Sequence, residues 1–182
     1  MIPEKTQDNQ VRVENLKLQF QTLAGAAPIG VLDSISFKVP AGQFLSIVGP
    51  SGCGKSTLLR VLSGLIAPTA GRVEVAGEPA AATHHRIGFM FQRDTLLPWA
   101  SVWENIKIGC ELAGLEPHLV HSRISDLLKL LGLEHFAQHR PHQISGGMRQ
   151  RVALARTLIE DRPVVLMDEP FGQLDIVTRL EL

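Results

Sequence analysis

The chain has 182 residues, 45% of them hydrophobic and 20% charged, and its formal net charge is zero. This length allows one domain with a sizeable core, and this composition excludes an intrinsically disordered chain. The balanced charge provides no field of one sign that would attract nucleic acid or an anionic membrane surface.

Membrane insertion and secretion are not indicated either. No stretch approaches the roughly 18 apolar residues needed to span a bilayer, and the polar segment MIPEKTQDNQ has no apolar signal core. Two cysteines, Cys53 and Cys110, do not make a disulfide framework, so a reducing cytoplasm is the default compartment. We therefore expect any role at a membrane to depend on a partner protein.

The first 92 residues are predicted to be mostly β-structure. Residues 44–48, FLSIV, are a continuous apolar run that predicts a buried strand, and a helix is predicted to start at about residue 58. The other predicted strands are residues 11–20, a segment containing Ile35, Phe37 and Val39, and residues 71–76 and 86–91.

From Val102 to about Arg140 the pattern becomes helical. Residues 119–131 carry leucine and isoleucine at helical spacing, and Gly132 is placed to end that helix. A second helix is predicted from about Gly147 to Ile159. The apolar run VVLM at residues 164–167 then indicates a parallel strand that is buried on both faces.

The run GPSGCGKST at residues 49–57 fits the phosphate-binding pattern G-x-x-x-x-G-K-[ST] at every fixed position. A strand is predicted before it and a helix after it, which is the structural context that the pattern requires. Backbone N–H groups of such a loop and the positive end of the helix dipole form a cradle for polyphosphate. Lys55 would reach the β- and γ-phosphates, and the Ser56 hydroxyl would bind Mg²⁺.

Polar residues follow two of the predicted strands. Asp168 and Glu169 come directly after the strand VVLM, where an aspartate can hold Mg²⁺ and a glutamate can accept a proton from the attacking water. Gln92 follows RIGFMF and could reach the metal or the water, or could be a solvated loop residue.

The segment ISGGMRQR, residues 144–151, predicts a second anion site. Ser145 is placed as a helix N-cap, and Gly146 and Gly147 leave the backbone bare at the helix start. The phosphate loop and this second anion site are about 90 residues apart, and one chain does not easily bring both of them to the same phosphate tail. Two copies packed head to tail would place Ser145 of one copy over the phosphate loop of the other.

In this order, GPSGCGKST, the glutamine after RIGFMF, ISGGMRQR, VVLMDEP and FGQLD resemble the ATPase subunit of an ATP-binding cassette (ABC) transporter over nearly the whole chain. The resemblance implies an α/β fold: a P-loop NTPase core with an antiparallel β subdomain and an inserted α-helical subdomain. It implies one domain over residues 1–182, comprising residues 1–92 as the β-rich part with the phosphate loop, 93–147 as the helical and signature part, and 148–182 as the return to the core.

The resemblance also implies roles for individual residues. Glu169 would be the general base, Gln92 a catalytic and metal-contacting glutamine, Asp168 the Mg²⁺ aspartate, and Asp175 the aspartate of the loop that links two sites. Phe20 falls where the family stacks an aromatic ring on adenine, or it is a buried strand residue. The implied ATP-binding residues are Phe20, Gly49, Pro50, Ser51, Gly52, Cys53, Gly54, Lys55, Ser56, Thr57 and, acting on the opposite copy, Ser145, Gly146 and Gly147.

The segment HRIGFMFQRDTLLPWASVWENIKIG is similar to importers of nitrate, sulfonates and taurine, in which the stretch after the glutamine docks on the membrane subunit. Leu97, Pro98, Trp99 and Val102 would then be contact residues. Alternatively, Trp99 and Trp103 are ordinary core aromatics.

Two further residue sets have simple interpretations. His118, His121, His135, His139 and His142 lack zinc-ligand spacing, so we do not expect them to bind metal. Cys53 precedes the predicted helix, where a thiolate is favoured, so we expect its alkylation to block nucleotide binding and MgATP to protect it.

The chain departs from the family pattern after FGQLD, because no histidine follows His142. The resemblance implies a switch histidine that contacts the γ-phosphate, and we expect this contact to be lost. We expect hydrolysis to be impaired and an edge of the central sheet to be uncovered.

The resulting expectation is an ATP-hydrolysing subunit that uses ATP and Mg²⁺, dimerises with a second copy and energises a permease together with a solute-binding protein. It would lie on the cytoplasmic side of the inner membrane, attached only through the permease, and would bind no nucleic acid. The alternatives are a nucleotide-binding module without efficient turnover and a soluble cassette ATPase outside transport.

Overall fold

The structure, a computed structural model, describes residues 9–21 and 27–170. It divides into two compact units, Met1–Ile87 and Gly88–Leu182. The division at residues 92 and 147 that the sequence suggests stays a prediction.

Among the described residues of the N-terminal unit, four strands form an antiparallel sheet in the order β2-β1-β3-β4. Alternation of apolar and polar residues along β1 buries one face of this sheet, with Val11, Val13, Leu16 and Leu18 all inside. Helix α1, Lys55–Leu62, lies between β2 and β3 in the chain and buries Leu58, Val61 and Leu62. The strands are β1 Asn9–Phe20, β2 Ile29–Pro40, β3 Ala70–Val75 and β4 Glu78–Pro79.

The prediction of a buried strand at residues 44–48 is wrong. This segment forms neither strand nor helix, and Phe44 and Val48 are 90% and 89% exposed. An apolar run becomes a strand only where a neighbouring strand supplies backbone hydrogen bonds and cover for its faces. None of the described strands pairs with it.

Up to residue 170, where the described part ends, the C-terminal unit combines a two-stranded pairing with three α-helices. Strands β5, Ile87–Met90, and β6, Val164–Met167, lie where the apolar runs predict strands, and the structure pairs them with each other. The helices are α2 Val102–Ala113, α3 Pro117–Leu130 and α4 Gly146–Leu158, close to the predicted bounds. Their apolar faces and the residues that follow α3 form one cluster, which includes Val102, Ile106, Ile124, Leu128, Leu133 and Val152.

Local sequence signals set the helix ends. Ser101 and Glu104 form a reciprocal capping box at the start of α2. Helix α3 begins with Pro117 at its first turn, and Gly132 follows its end with φ of +62°, which confirms the predicted stop. In the described ranges, no helix has both the length and the apolar character needed to cross a membrane.

Helices α2 and α4 approach each other closely at Gly109. A Cβ atom at this position would lie 2.5 Å from the backbone oxygen of Arg156, so only glycine fits without a shift of one helix. This contact fixes α4 against α2.

Candidate functional site

The phosphate loop has the backbone geometry that its glycines predict. Gly52 and Gly54 have φ of +80° and +99°, a region that residues with a Cβ atom rarely adopt. Gly54 is the N-cap of α1, and its carbonyl accepts the first helical hydrogen bond from the Leu58 N–H at 2.8 Å. The bare N-terminus of α1 therefore opens directly onto the loop, as an anion site requires.

The Lys55 ammonium lies against this loop. Its Nζ donates hydrogen bonds to the backbone oxygens of Gly49 at 2.8 Å and Pro50 at 2.9 Å. The Sγ of Cys53 lies 4.0 Å from the same Nζ, and the Cys53 side chain is exposed. Ser51 and Gly52 are exposed, and Ser56 and Thr57 are half-buried in the first turn of the helix. A positive charge and helical N–H groups thus share one accessible loop.

In the C-terminal unit, Gln92 and Glu169 are brought together by the ends of β5 and β6. The Asp168 N–H donates to the Met90 oxygen at 2.9 Å, which continues the pairing of the two strands to this point. One strand end therefore carries Gln92 and the other carries Glu169, and the Gln92 Nε2 donates to the Glu169 Oε2 at 2.8 Å. Gln92 is exposed and lies outside the regular elements, so this contact leaves both interpretations of Gln92 open, and its contact with the metal or the water stays a prediction.

The two carboxylates differ in their surroundings. Asp168 is only 6% exposed, whereas Glu169 is exposed and adopts a left-handed backbone with φ of +50°. One carboxylate is thus buried and the other is open to solvent, so each can have a different role.

The predicted Mg²⁺ ligands are of a suitable chemical type. Mg²⁺ prefers oxygen donors, and the Ser56 hydroxyl, the Gln92 amide oxygen and the buried Asp168 carboxylate are all hard oxygen ligands. Over the ranges that the structure describes, no group of three or more His, Cys, Asp or Glu residues is arranged to hold a metal ion.

The signature segment begins helix α4 as predicted. The Ser145 Oγ accepts a hydrogen bond from the Met148 N–H at 3.2 Å, which confirms Ser145 as the N-cap. Ser145 is exposed, and Gly146 and Gly147 are half-buried in the first turn. The action of this segment on an opposite copy stays a prediction.

Phe20 ends β1 and is 43% exposed. The alternative interpretation, a buried strand residue, is therefore wrong. Its ring is accessible for stacking, and the contact with adenine stays a prediction. Asp175 lies outside the described residues.

The predicted docking segment is confirmed as a surface only in part. Trp99 is 70% exposed and Pro98 is exposed, so the core interpretation of Trp99 is wrong. Val102 is fully buried in the helical cluster and cannot be a contact residue, because the first turn of α2 points it inward. Trp103 is partly buried against the same cluster, and its ring lies 4.9 Å from that of His121.

A buried asparagine that the sequence pattern did not single out shapes this surface. The Asn105 Oδ1 accepts from the Leu97 N–H at 2.8 Å, and its Nδ2 donates to the backbone oxygens of Leu97, Ala100 and Ser101. Asn105 is 0% exposed and on α2, so it fixes the turn that displays Trp99. An asparagine at an otherwise apolar helical position was the only signal available.

A family model described as ABC transporter matches residues 32–172. The taurine import ATP-binding protein of Burkholderia pseudomallei is 48% identical over 148 residues, which are 81% of this chain and 57% of that protein. The aliphatic sulfonates import ATP-binding protein of Mesorhizobium japonicum is 48% identical over 153 residues, which are 84% of this chain and 56% of that protein. The chain thus spans less than two thirds of the length of these curated relatives.

Among solved structures, the dimeric structure of an ATP-binding cassette in a post-hydrolysis state, bound to ADP and Pi, is similar with a TM-score of 0.81 at 32% identity. The match covers 92% of this chain and 77% of that one.

Proposed function

Because the chain belongs to the ABC transporter family and has its ATP-binding cassette fold, we propose that it binds and hydrolyses ATP to energise an importer of small solutes. The observation that carries this proposal is the hydrogen bond from Gln92 to Glu169, directly after the buried Asp168. It holds an exposed carboxylate in one orientation at the end of a strand, which is what a general base for water needs.

Each of the site residues would have its own role in ATP binding and hydrolysis, as follows. The loop of residues 49–57 binds the phosphates through its N–H groups and the Lys55 ammonium, and Phe20 stacks on the adenine. Ser56, Gln92 and Asp168 hold Mg²⁺, which when bound neutralises charge that develops on the phosphates. Glu169 accepts the proton of the attacking water, and Gln92 orients the Glu169 carboxylate.

A second copy of the chain would complete each site. Ser145 is the N-cap of α4, a helix of 13 residues. The N–H groups at the start of this helix can bind the phosphate of a nucleotide that the other copy holds. A dimeric cassette among the similar structures supports this arrangement.

The membrane would be reached through a permease, on its cytoplasmic side, with a solute-binding protein on the other side. The exposed Trp99, fixed by Asn105, is a suitable anchor because aromatic residues dominate interface energies. The named relatives are ATP-binding proteins for taurine import and aliphatic sulfonates import, which supports a small sulfonate as the solute class.

Steady-state phosphate release from MgATP by the purified chain, with and without Glu169→Gln, tests the enzymatic proposal. Release that the substitution abolishes supports hydrolysis, whereas ATP binding without release supports the nucleotide-binding module instead. Co-purification with a membrane permease expressed alongside the chain separates transport from a cassette ATPase outside transport.

A further inference from the structure

Three side chains of α4 hold the segment that follows β5. This segment, residues 92–95, is here called the glutamine loop because it begins with Gln92. Gln150, Arg149 and Arg156 each donate hydrogen bonds to it. All of these residues belong to the C-terminal unit.

Gln150 contacts Gln92, the residue whose side chain binds the proposed base. Its side chain is 2% exposed, and its Nε2 donates to the backbone oxygen of Gln92 at 3.2 Å. Within the described ranges, its Oε1 is buried and has no hydrogen-bond partner. A buried amide with one unpaired acceptor destabilises a fold relative to an apolar residue of similar size. Stability alone therefore does not account for a glutamine here.

The two arginines hold the rest of the glutamine loop. The Arg149 Nε donates to the Asp94 carboxylate at 2.9 Å, while its Nη1 donates to the Ile144 oxygen at 3.0 Å, at the start of the signature segment. One guanidinium thus joins the glutamine loop to the beginning of α4.

Arg156, about two helical turns after Arg149, binds the same loop. Its Nη2 donates to the Asp94 oxygen and the Thr95 Oγ1, and its Nη1 donates to the Thr95 oxygen, at 2.9–3.1 Å. Burial lowers the pKa of Arg156 below its ordinary value, since desolvation disfavours the charged form. These three acceptors compensate for that desolvation.

We propose that Gln150 is a positioning residue for Gln92, and that the α4 side chains make the glutamine loop move with the signature helix as one body. The path runs from Ser145 at the start of α4, through Gln150, to the Gln92 backbone and from the Gln92 amide to Glu169. A displacement of α4 when Ser145 meets a nucleotide would thereby be transmitted to the Glu169 carboxylate. This inference rests on the proposed function only where it concerns hydrolysis.

The test compares Gln150→Leu with Gln138→Leu, a matched substitution at an exposed glutamine of the same unit. Gln150→Leu removes the donor to Gln92 and also the unpaired acceptor, so the melting temperature should not fall. We expect kcat for ATP to fall about tenfold, the effect of one hydrogen bond of ordinary strength, with KM changed less than about twofold. Hydrogen exchange of the amides at residues 92–95 should become faster. Gln138→Leu should change none of these quantities.

The outcomes separate the inference from the proposed function. A folded Gln150→Leu variant with unchanged kcat or unchanged amide exchange overturns the inference, and so does a loss of kcat that is matched by a loss of ATP binding or of melting temperature. If the unsubstituted chain hydrolyses no ATP, the proposed function fails, and amide exchange alone decides whether Gln150 holds the loop. Arg156→Lys is a second variant, because it keeps the charge and loses the fork of donors. It should speed exchange at Asp94 and Thr95, and unchanged exchange there would also count against the inference.

Discussion

Gln92 and Glu169 are 77 positions apart in the sequence, yet the Nε2 of one donates to the Oε2 of the other at 2.8 Å. The pairing of β5 with β6 brings them together, because each residue lies just beyond the end of one of these strands. Glu169 has a left-handed backbone that non-glycine residues rarely adopt, at a cost of about 1 kcal/mol or more. The orientation of the Glu169 carboxylate is therefore set by its backbone conformation and by the hydrogen bond from Gln92.

Glu169→Gln should lower the rate of ATP hydrolysis at least about 100-fold, since a general base contributes that much or more. ATP binding should persist, so the variant should accumulate as an ATP-bound dimer. Light scattering at saturating MgATP measures the molecular mass and so distinguishes a dimer from a monomer. Glu134→Gln, at an exposed glutamate of the same unit, is the control. A monomer under these conditions would count against the assignment of the base.

Lys55→Ala should abolish the thermal stabilisation that MgATP gives. A ligand at 100 times its Kd stabilises the folded state by about 2.7 kcal/mol, and this gain disappears when the site no longer binds. A thermal-shift titration measures the difference, and Lys129→Ala, at an exposed lysine of α3, should behave like the unsubstituted chain. Equal shifts in the Lys55→Ala variant and the unsubstituted chain would show that the loop does not bind the phosphates.

Alkylation of Cys53 should block nucleotide binding. The thiol is exposed on the loop and lies 4.0 Å from the Lys55 ammonium, so an added group occupies the proposed phosphate site. Burial raises the pKa of the Cys110 thiol, which makes it a poor competitor for the reagent. Mass spectrometry of the labelled chain should show modification at Cys53 that MgATP slows. Equal labelling rates of Cys53 with and without MgATP would contradict this prediction.

Trp99→Ala should weaken binding to a permease, whereas Trp103→Ala should lower stability. Trp99 is 70% exposed, so its loss should change the free energy of unfolding by less than about 0.5 kcal/mol while weakening co-purification with a permease. Trp103 packs against the helical cluster, so its loss should lower the melting temperature. Undiminished permease capture by the folded Trp99→Ala variant would remove Trp99 from the docking surface.

The phosphate loop, the helix ends and the position of Ser145 could be predicted because each depends on short-range geometry. Gly54 needs a left-handed backbone, and Ser145 needs only the N–H three residues away. Residues 44–48 were mispredicted because a strand depends on partners elsewhere in the chain, which an apolar run does not specify.

The sequence pattern also did not predict which side chains point into the core. Val102 and Trp99 are three positions apart, yet the capping box at Ser101 turns Val102 into the core while Asn105 holds Trp99 outside. Likewise, Gln150 carries no pattern that points to Gln92, because their contact crosses from α4 to the end of β5.

The capping box at the start of α2 predicts a specific dependence of stability on pH. The Ser101 backbone N–H, and then its hydroxyl, hold the pKa of Glu104 below its ordinary value of 4.5. A carboxyl whose pKa is lower in the folded chain than in the unfolded one stabilises the fold above the unfolded pKa, and that contribution is lost as the pH falls through the folded pKa. Stability of the C-terminal unit should therefore decline on the acid side of about pH 4.5.

Melting temperatures from pH 7 to pH 3 for the unsubstituted chain, Glu104→Gln and Ser101→Ala would measure this effect. Glutamine keeps an acceptor for the Ser101 N–H but does not titrate, so Glu104→Gln should show a shallower decline below about pH 4.5. Ser101→Ala should lower the free energy of unfolding by about 1 kcal/mol at neutral pH, because it leaves the Glu104 N–H without its cap. If both variants follow the same acid curve as the unsubstituted chain, other carboxyl groups dominate the acid sensitivity and the capping box does not set it.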